Sequence, residues 1–265
     1  MNLPNYETLQ IHPHTEHVLL VTLNRPAALN ALNTQMGHDL LDLFGRITTD
    51  PGAFRCMVLT GAGDKAFCSG GDLKERDGMS PQIWQAQHEL FERAFVAMME
   101  CPTPVIAALN GHAYGGGLET ALCCDFIYAA RGACFALSEV RLGIMPGGCG
   151  TQNLARAVGE RRAKELILSG MPFSADDGTA WGAFNRACEP GAVLNKALTT
   201  ALAIADNAPL SLRQAKKSIH YGMQMDLLSA YRFEIEAYNR LVNTEDRHEG
   251  VRAFSEKRKP KFQGR

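Results

Sequence analysis

Two glutamates, Glu119 and Glu139, stand among apolar and glycine-rich neighbours in the stretch from Asn110 to Gly150. A carboxylate taken out of water is costly unless it is paired or put to use. Gly115, Gly116 and Gly117 immediately precede the Leu118-Glu119 pair. Glycines at a strand-to-helix turn let backbone approach a ligand closely and leave N–H groups free at the helix start. Two acids beside such donors suit acid/base chemistry on a carbonyl compound, with the amides holding the oxyanion that develops. Each residue also has a plainer reading. The glycine triplet can serve only to pack a turn, with Glu119 offsetting a helix dipole. Glu139 can equally pair with Arg141 or cap a helix.

A second loop, from Gly61 to Lys74, follows another apolar run and presents Gly70 and Gly71 next to Asp72, with Lys65 and Lys74 nearby. Alone it reads as a surface turn. Together the two loops supply separate amide donors able to converge on one oxygen, which is the arrangement an enolate requires. Neither loop has the G-x-G-x-x-G spacing of a dinucleotide site or the Lys-Ser/Thr pair of a phosphate loop. The eight histidines show no ligand spacing, so no metal or redox cofactor is indicated.

The elements that must position these loops are readable in outline. Strand-like runs occupy 8–11, 18–23, 56–60, 105–109, 126–130 and 134–137. Ile83, Gln87, Leu90, Phe91, Ala94, Phe95 and Met98 recur at helical spacing after a Ser80-Pro81 start, and Cys101-Pro-Thr-Pro104 ends that helix. Strands alternating with helices indicate an α/β fold. Beyond about residue 190 the strand signal stops, and helical patterns cover 192–206, 209–221, 224–243 and 245–256. The expected division is a core of residues 1–190 and a helical region of residues 191–265.

Composition narrows the function classes. The 265-residue chain is 46% hydrophobic and 21% charged with a formal net charge of −1, which gives no global attraction to nucleic acid or to an anionic membrane. A local basic cluster, Lys257, Arg258, Lys259, Lys261 and Arg265, reads as a solvated tail or an anion contact. Eight cysteines without C-x-x-C spacing, several inside apolar runs, read as reduced core residues. The apolar runs are too short to cross a bilayer. The expected location is the cytosol, or an organelle matrix if a targeting segment has been removed.

Five blocks in order then resemble the crotonase superfamily, also called the enoyl-CoA hydratase/isomerase family. They are Leu23-Asn-Arg-Pro26 with Asn30-Ala31, Lys65-Ala-Phe-Cys-Ser-Gly-Gly-Asp-Leu-Lys74, the stretch 110–125, the stretch 135–152, and Phe254-Ser-Glu-Lys-Arg-Lys259. The resemblance implies a spiral of β-βα turns with a helical C-terminal part, assembled as a trimer or dimer of trimers. It implies that Gly71 and Gly116 donate to a thioester carbonyl and that Glu119 and Glu139 are the two catalytic acids of a hydratase. It places Arg25, Ala27, Leu29, Lys65, Ala66, Ser69, Gly70, Asp72, Leu73 and Lys74 near coenzyme A, with Phe254 and Lys257 reaching that region from the C-terminus. Coenzyme A is part of the substrate, and no separate cofactor is implied.

The implied reaction is addition of water across the 2,3 double bond of an enoyl-CoA, because family members with other chemistry tend to replace one acid. Double-bond isomerisation is the alternative. The segments 72–80 and 244–258 look similar to the branch containing methylglutaconyl-CoA hydratase, one member of which also binds RNA. RNA binding on this scaffold lacks support here, since the 86–99 helix has no lysine-rich face. Gly178, Trp181, Cys149 and Asn153 depart from the usual family residues, which bears on pocket shape and subunit contacts. Met79, Trp84 and His88 are candidate lining residues of the acyl pocket, with ordinary core packing or surface exposure the equal alternative.

Overall fold

Two sheets, crossed repeatedly by the chain, make up the centre of the computed structural model, which describes residues 3–265. Five strands lie in the larger sheet beside a short sixth: Leu9–Pro13 (β1), Val18–Leu23 (β2), Cys56–Gly61 (β3), Val105–Leu109 (β5), Phe126–Ala130 (β7) and Arg186–Cys188 (β10). Their order is β1-β2-β3-β5-β7-β10, with only the β1–β2 pair antiparallel. Every residue of β3 and β5 is buried, as expected for parallel strands covered on both faces.

The smaller sheet consists of Ala66–Cys68 (β4), His112–Tyr114 (β6), Cys134–Ala136 (β8) and Phe173–Ser174 (β9), in the order β4-β6-β8-β9. The chain alternates between sheets, β3 to β4, β5 to β6 and β7 to β8, and each step is followed by helix. This is the spiral of β-βα turns that the resemblance implies.

Capped helices fill the outer layer. Asn33 accepts the Met36 amide at 3.0 Å to start Thr34–Thr49 (α1), which buries Met36, Leu40, Leu43, Phe44 and Ile47. Asp72 caps the single turn Leu73–Arg76 (α2). Ser80 caps Pro81–Met99 (α3), with proline at its first turn, as the sequence indicates. Helix α3 packs against α1. Gly116–Leu122 (α4), Gly150–Val158 (α5), Glu160–Ser169 (α6) and Ala175–Trp181 (α7) follow.

Four more helices complete the chain: Val193–Ala205 (α8), Pro209–Gly222 (α9), Leu227–Val242 (α10) and Glu245–Ser255 (α11). The boundary expected near residue 190 falls between β10 and α8. Helix α8 buries Val193, Ala197, Leu198 and Ala201 in the same hydrophobic core as the large sheet. Helices α9 and α10 pair with each other and leave Ile219, Met223, Leu227, Leu228, Tyr231 and Tyr238 exposed. The C-terminal strap is held by two buried acids on α11. Asp246 accepts the Gln263 and Gly264 amides at 2.6 and 2.8 Å, while Glu249 accepts Arg258 and the Lys261 amide.

The structure differs from the sequence reading in the short strands. β4, β6, β9 and β10 have two or three residues each, below the length at which alternation or apolar runs can be recognised. β1 spans Leu9–Pro13 rather than 8–11, and α10 begins at Leu227 because Asp226 caps it.

Two glycines on this frame make opposite predictions. A Cβ on Gly117 would sit 2.2 Å from the Cys68 carbonyl oxygen, a backbone atom that cannot move alone. Gly117→Ala is expected to lower the melting temperature sharply or to abolish soluble expression. Gly45, exposed within α1, has nothing within 4 Å of such a Cβ. Gly45→Ala is expected to raise stability by about 1 kcal/mol in chemical denaturation.

Candidate active site

Both glycine loops open onto one cavity of about 850 Å³, walled on its far side by α3. The β4–α2 turn enters it with Ser69, Gly70, Gly71 and Leu73, and the β6–α4 turn with Gly115 and Gly116. Backbone contact locks the turns together. Gly70 has φ +100°, a left-handed conformation suited to glycine, and a Cβ there would lie 2.8 Å from the Tyr114 carbonyl oxygen. A Cβ on Gly116 would come within 3.8 Å of the Gly71 nitrogen. The adjacent chain pairs elsewhere: Leu32 donates to the Gly70 carbonyl and Asp72 donates to the Leu32 carbonyl. Neither the Gly71 nor the Gly116 amide donates to a protein acceptor among the described residues. Two unused backbone donors therefore sit side by side at the cavity wall.

Glu119 is buried in the first turn of α4. Its Oε1 accepts the Gly148 amide at 2.7 Å and the Gly150 amide at 2.9 Å. These donors come from the Pro146–Gly150 segment that starts α5. That loop must be glycine-rich: Cβ atoms on Gly148 and Gly150 would come within 3.0 and 2.7 Å of the Glu119 carboxylate. Burial pushes the Glu119 carboxyl above its ordinary range, and the Gly150 and Gly148 donors oppose that rise.

Glu139 begins the 3-10 turn Glu139–Leu142 that follows β8. It is 8% exposed, and neither carboxylate oxygen has a hydrogen-bond partner. Burial pushes its pKa up to about 7, and the charge of Glu119 adds to the rise. The alternative pairing with Arg141 does not form; Arg141 donates instead to the Ser169 carbonyl. An unpartnered acid that titrates near neutrality, facing a cavity, is arranged for proton transfer rather than for stability.

The remaining expected residues divide into two groups. Ser69, Gly70 and Leu73 line the cavity with Gly71, Gly116 and the two acids. Arg25, Ala27, Leu29, Lys65, Ala66, Asp72 and Lys74 lie outside its lining, on or beside the loops that frame it. Arg25 and Asp72 form an ion pair at 2.9 Å, and Asp72 also caps α2. Ala66 is buried, and its carbonyl accepts from the Asn30 side chain. Phe254, near the end of α11, and Lys257, just past it, are exposed and outside the cavity lining.

Trp84 and His88 line the cavity, while Met79 does not. Gly178 and Trp181 do not reach it. Trp181 packs on Phe173, and Gly178 fits because a Cβ there would strike Phe184. Sequence reasoning missed the Gly148 and Gly150 donors and the guanidinium of Arg76, which also lines the cavity. The Pro146-Gly-Gly-Cys-Gly150 run was the available signal for the former.

Comparison with known proteins gives the family. A family model described as enoyl-CoA hydratase/isomerase matches residues 14–265. The short-chain-enoyl-CoA hydratase of Clostridium acetobutylicum is 40% identical over 242 residues, covering 91% of this chain and 92% of that one. The mitochondrial enoyl-CoA hydratase of Pongo abelii is 39% identical over 243 residues, covering 92% and 82%. A crystal structure of enoyl-CoA hydratase from Bacillus anthracis superposes with a TM-score of 0.95 at 39% identity, covering 98% of this chain and all of that one. The chain belongs to the enoyl-CoA hydratase/isomerase family. Among the described residues no helix is long and apolar enough to cross a membrane.

The raised pKa of Glu139 has a testable effect on stability. A carboxyl that binds its proton more tightly when folded contributes stability below its ordinary value of 4.5, and that contribution is lost as pH rises through about 7. Glutamine imitates the protonated form at every pH. Glu139→Gln should therefore melt a few degrees above the parent near pH 8, with the gap closing towards pH 5. A gap that is constant or reversed across this range contradicts the assignment.

Proposed function

We propose that the protein is an enoyl-CoA hydratase, adding water across the 2,3 double bond of a 2-enoyl-CoA to give the 3-hydroxyacyl-CoA. The observation that carries the reading is the pairing of two unused amides, Gly71 and Gly116, with two buried acids that differ in their support. The amides hold the thioester oxygen. Losing one donor of this kind typically costs about 3–4 kcal/mol in the transition state.

Glu119, its anion supported by two backbone N–H groups, takes a proton from water as the water oxygen bonds to the β-carbon. The alkene electron pair moves towards the carbonyl and forms an enolate, whose oxygen the amides stabilise. Glu139, able to hold a proton near neutral pH, delivers it to the α-carbon. Glu119 then carries a proton and Glu139 lacks one, and exchange with solvent after product release restores both. Two acids are required for this sequence, which favours hydration over double-bond isomerisation.

Arg25, Lys65, Lys74 and the C-terminal Lys257 suit the phosphates of coenzyme A, and Ala27, Leu29 and Ala66 its less polar part. Phe254, 87% exposed on α11, together with the uncovered faces of α9 and α10, supports assembly into a trimer or dimer of trimers. Eight cysteines without disulfides suit a reducing compartment, the cytosol or an organelle matrix.

Glu119→Gln and Glu139→Gln are each expected to lower kcat for hydration of crotonyl-CoA by about 10²–10⁴-fold. Both variants should keep the parent circular-dichroism spectrum, and near-parental activity in either would overturn the mechanism. Sedimentation velocity is expected to give a mass three or six times the 28.9 kDa of the chain. A monomer would remove the assembly.

A further inference from the structure

A positive charge stands at the cavity wall beside the Gly71 amide, with no anion to meet it. It belongs to Arg76, which closes α2 and is partly buried. Its Nη1 lies 2.9 Å from where a Cβ on Gly71 would stand, and its guanidinium carbon 3.1 Å. A Cβ sits about 2.5 Å from its own amide nitrogen, so Nη1 is no more than about 5.4 Å from the Gly71 N–H donor.

A relay of polar side chains holds the guanidinium there. Gln87, which is buried on α3, accepts Arg76 Nε at 2.8 Å. Its Nε2 donates to Thr34 Oγ1 and to Glu75 Oε2, each at 2.8 Å, and this turns the Gln87 oxygen towards the arginine. Glu75 in turn accepts the Thr34 amide at 2.9 Å. Helices α1, α2 and α3 therefore all contribute to fixing one head group. The Trp84 ring supports it, with the guanidinium carbon 4.6 Å from the ring centre.

Nη1 and Nη2 donate to no protein acceptor among the described residues, and no carboxylate lies within ion-pair distance of them. An arginine cannot shed its charge as a lysine can, so leaving it unpaired and partly desolvated is unfavourable in the resting protein. Burial lowers the Arg76 pKa, and the charges of Glu75 and Glu119 offset only part of that effect. The missing counter-charge can come from the reaction itself. Attack of water on the β-carbon moves the alkene electron pair towards the thioester oxygen, and the enolate that results is an anion beside Gly71. A cation left unpaired by the neutral thioester and paired by the enolate binds the second more tightly than the first, and that difference raises kcat.

We propose that Arg76 is a third contributor to the oxyanion site, its charge stabilising the enolate oxygen that the Gly71 and Gly116 amides hold. Gln87 is the positioning residue that keeps the guanidinium beside Gly71. This rests on the hydratase reading and adds two residues to its machinery.

The first test is kinetic. Arg76→Met should lower kcat for crotonyl-CoA about 10- to 100-fold while KM stays within about threefold of the parent. Arg76→Lys should keep part of the rate, and Gln87→Met should fall between the parent and Arg76→Met. An unchanged kcat for crotonyl-CoA in Arg76→Met, with a loss confined to acyl chains that carry their own anion, would overturn the proposal.

A second measurement requires no turnover and responds to charge at the carbonyl rather than to packing. In infrared difference spectra of bound butyryl-CoA labelled with 13C at the thioester carbon, the parent should move the carbonyl stretch to lower wavenumber, and Arg76→Met should lose part of that move. Arg76→Gln, which can still donate to Gln87, is the second neutral variant should Arg76→Met fail to fold. A stretch unchanged from the parent in the neutral variants would overturn the proposal, because the arginine would then be acting on Glu119 or on packing alone.

Deuterium exchange separates this inference from the hydratase reading. In D2O the ionised form of Glu139 can take an α-proton from butyryl-CoA, the C–H electron pair moving towards the carbonyl oxygen, and a deuteron returned to the α-carbon leaves the label there. Exchange that depends on Arg76 in a protein that does not hydrate crotonyl-CoA would support the oxyanion role and remove only the hydratase reading. Exchange as fast in Arg76→Met as in the parent would remove the oxyanion role.

Discussion

Between the Cys68 carbonyl and Gly117 there is room for a hydrogen atom and none for a methyl group. That contact, and the similar one between Gly70 and the Tyr114 carbonyl, brings backbone against backbone where the ends of β4 and β6 meet. Side-chain packing could not supply it, because any side chain would hold the two turns apart. With the turns in contact, the Gly71 and Gly116 amides stand side by side, and neither is consumed by a ladder or a helix. The same small sheet places Glu139 at the end of β8, and α4 places Glu119 one turn behind Gly116. The spatial order of chemical groups in the cavity follows from strands of only three residues.

The two glutamates illustrate how different support produces different behaviour from one side-chain type. Glu119 is fastened to the loop leading into α5, whose amides favour its anion. Glu139 has no such donors, so burial dominates and raises its pKa to about 7. Arg76 is a third ionisable group, partly buried, that donates only to Gln87 and makes no ion-pair contact among the described residues. Structure that served stability alone would leave none of these groups in this state, since each is unfavourable without its substrate.

The long elements were legible because their signals are strong. The β2, β3, β5 and β7 runs are apolar along their length, and α3 carries a proline start, a serine cap and helical periodicity together. The two acids and the two glycine turns were also legible, although their separate residues had plain structural alternatives. It was the ordered set of family-like blocks that joined them into one site. What the sequence could not disclose depends on distant packing. Two- and three-residue strands have no periodicity to detect. Nothing local says that the Gly148 and Gly150 amides point at Glu119, or that Arg76 lacks an acid while Glu75 beside it is already engaged. Trp181 lies outside the cavity lining, packed on Phe173, a contact made across segments.

The lone Glu139 carboxyl has a thermodynamic consequence for ligand capture. With a pKa of about 7, a sizeable fraction of molecules at neutrality carry it ionised in the open cavity. An acyl chain that displaces the remaining water makes the ionised form still less favourable, so capture of the thioester draws a hydrogen ion from the surrounding buffer. The heat of association near neutrality should then vary with the ionisation enthalpy of the buffer chosen. Entry of the substrate would thus arm the acid that later protonates it.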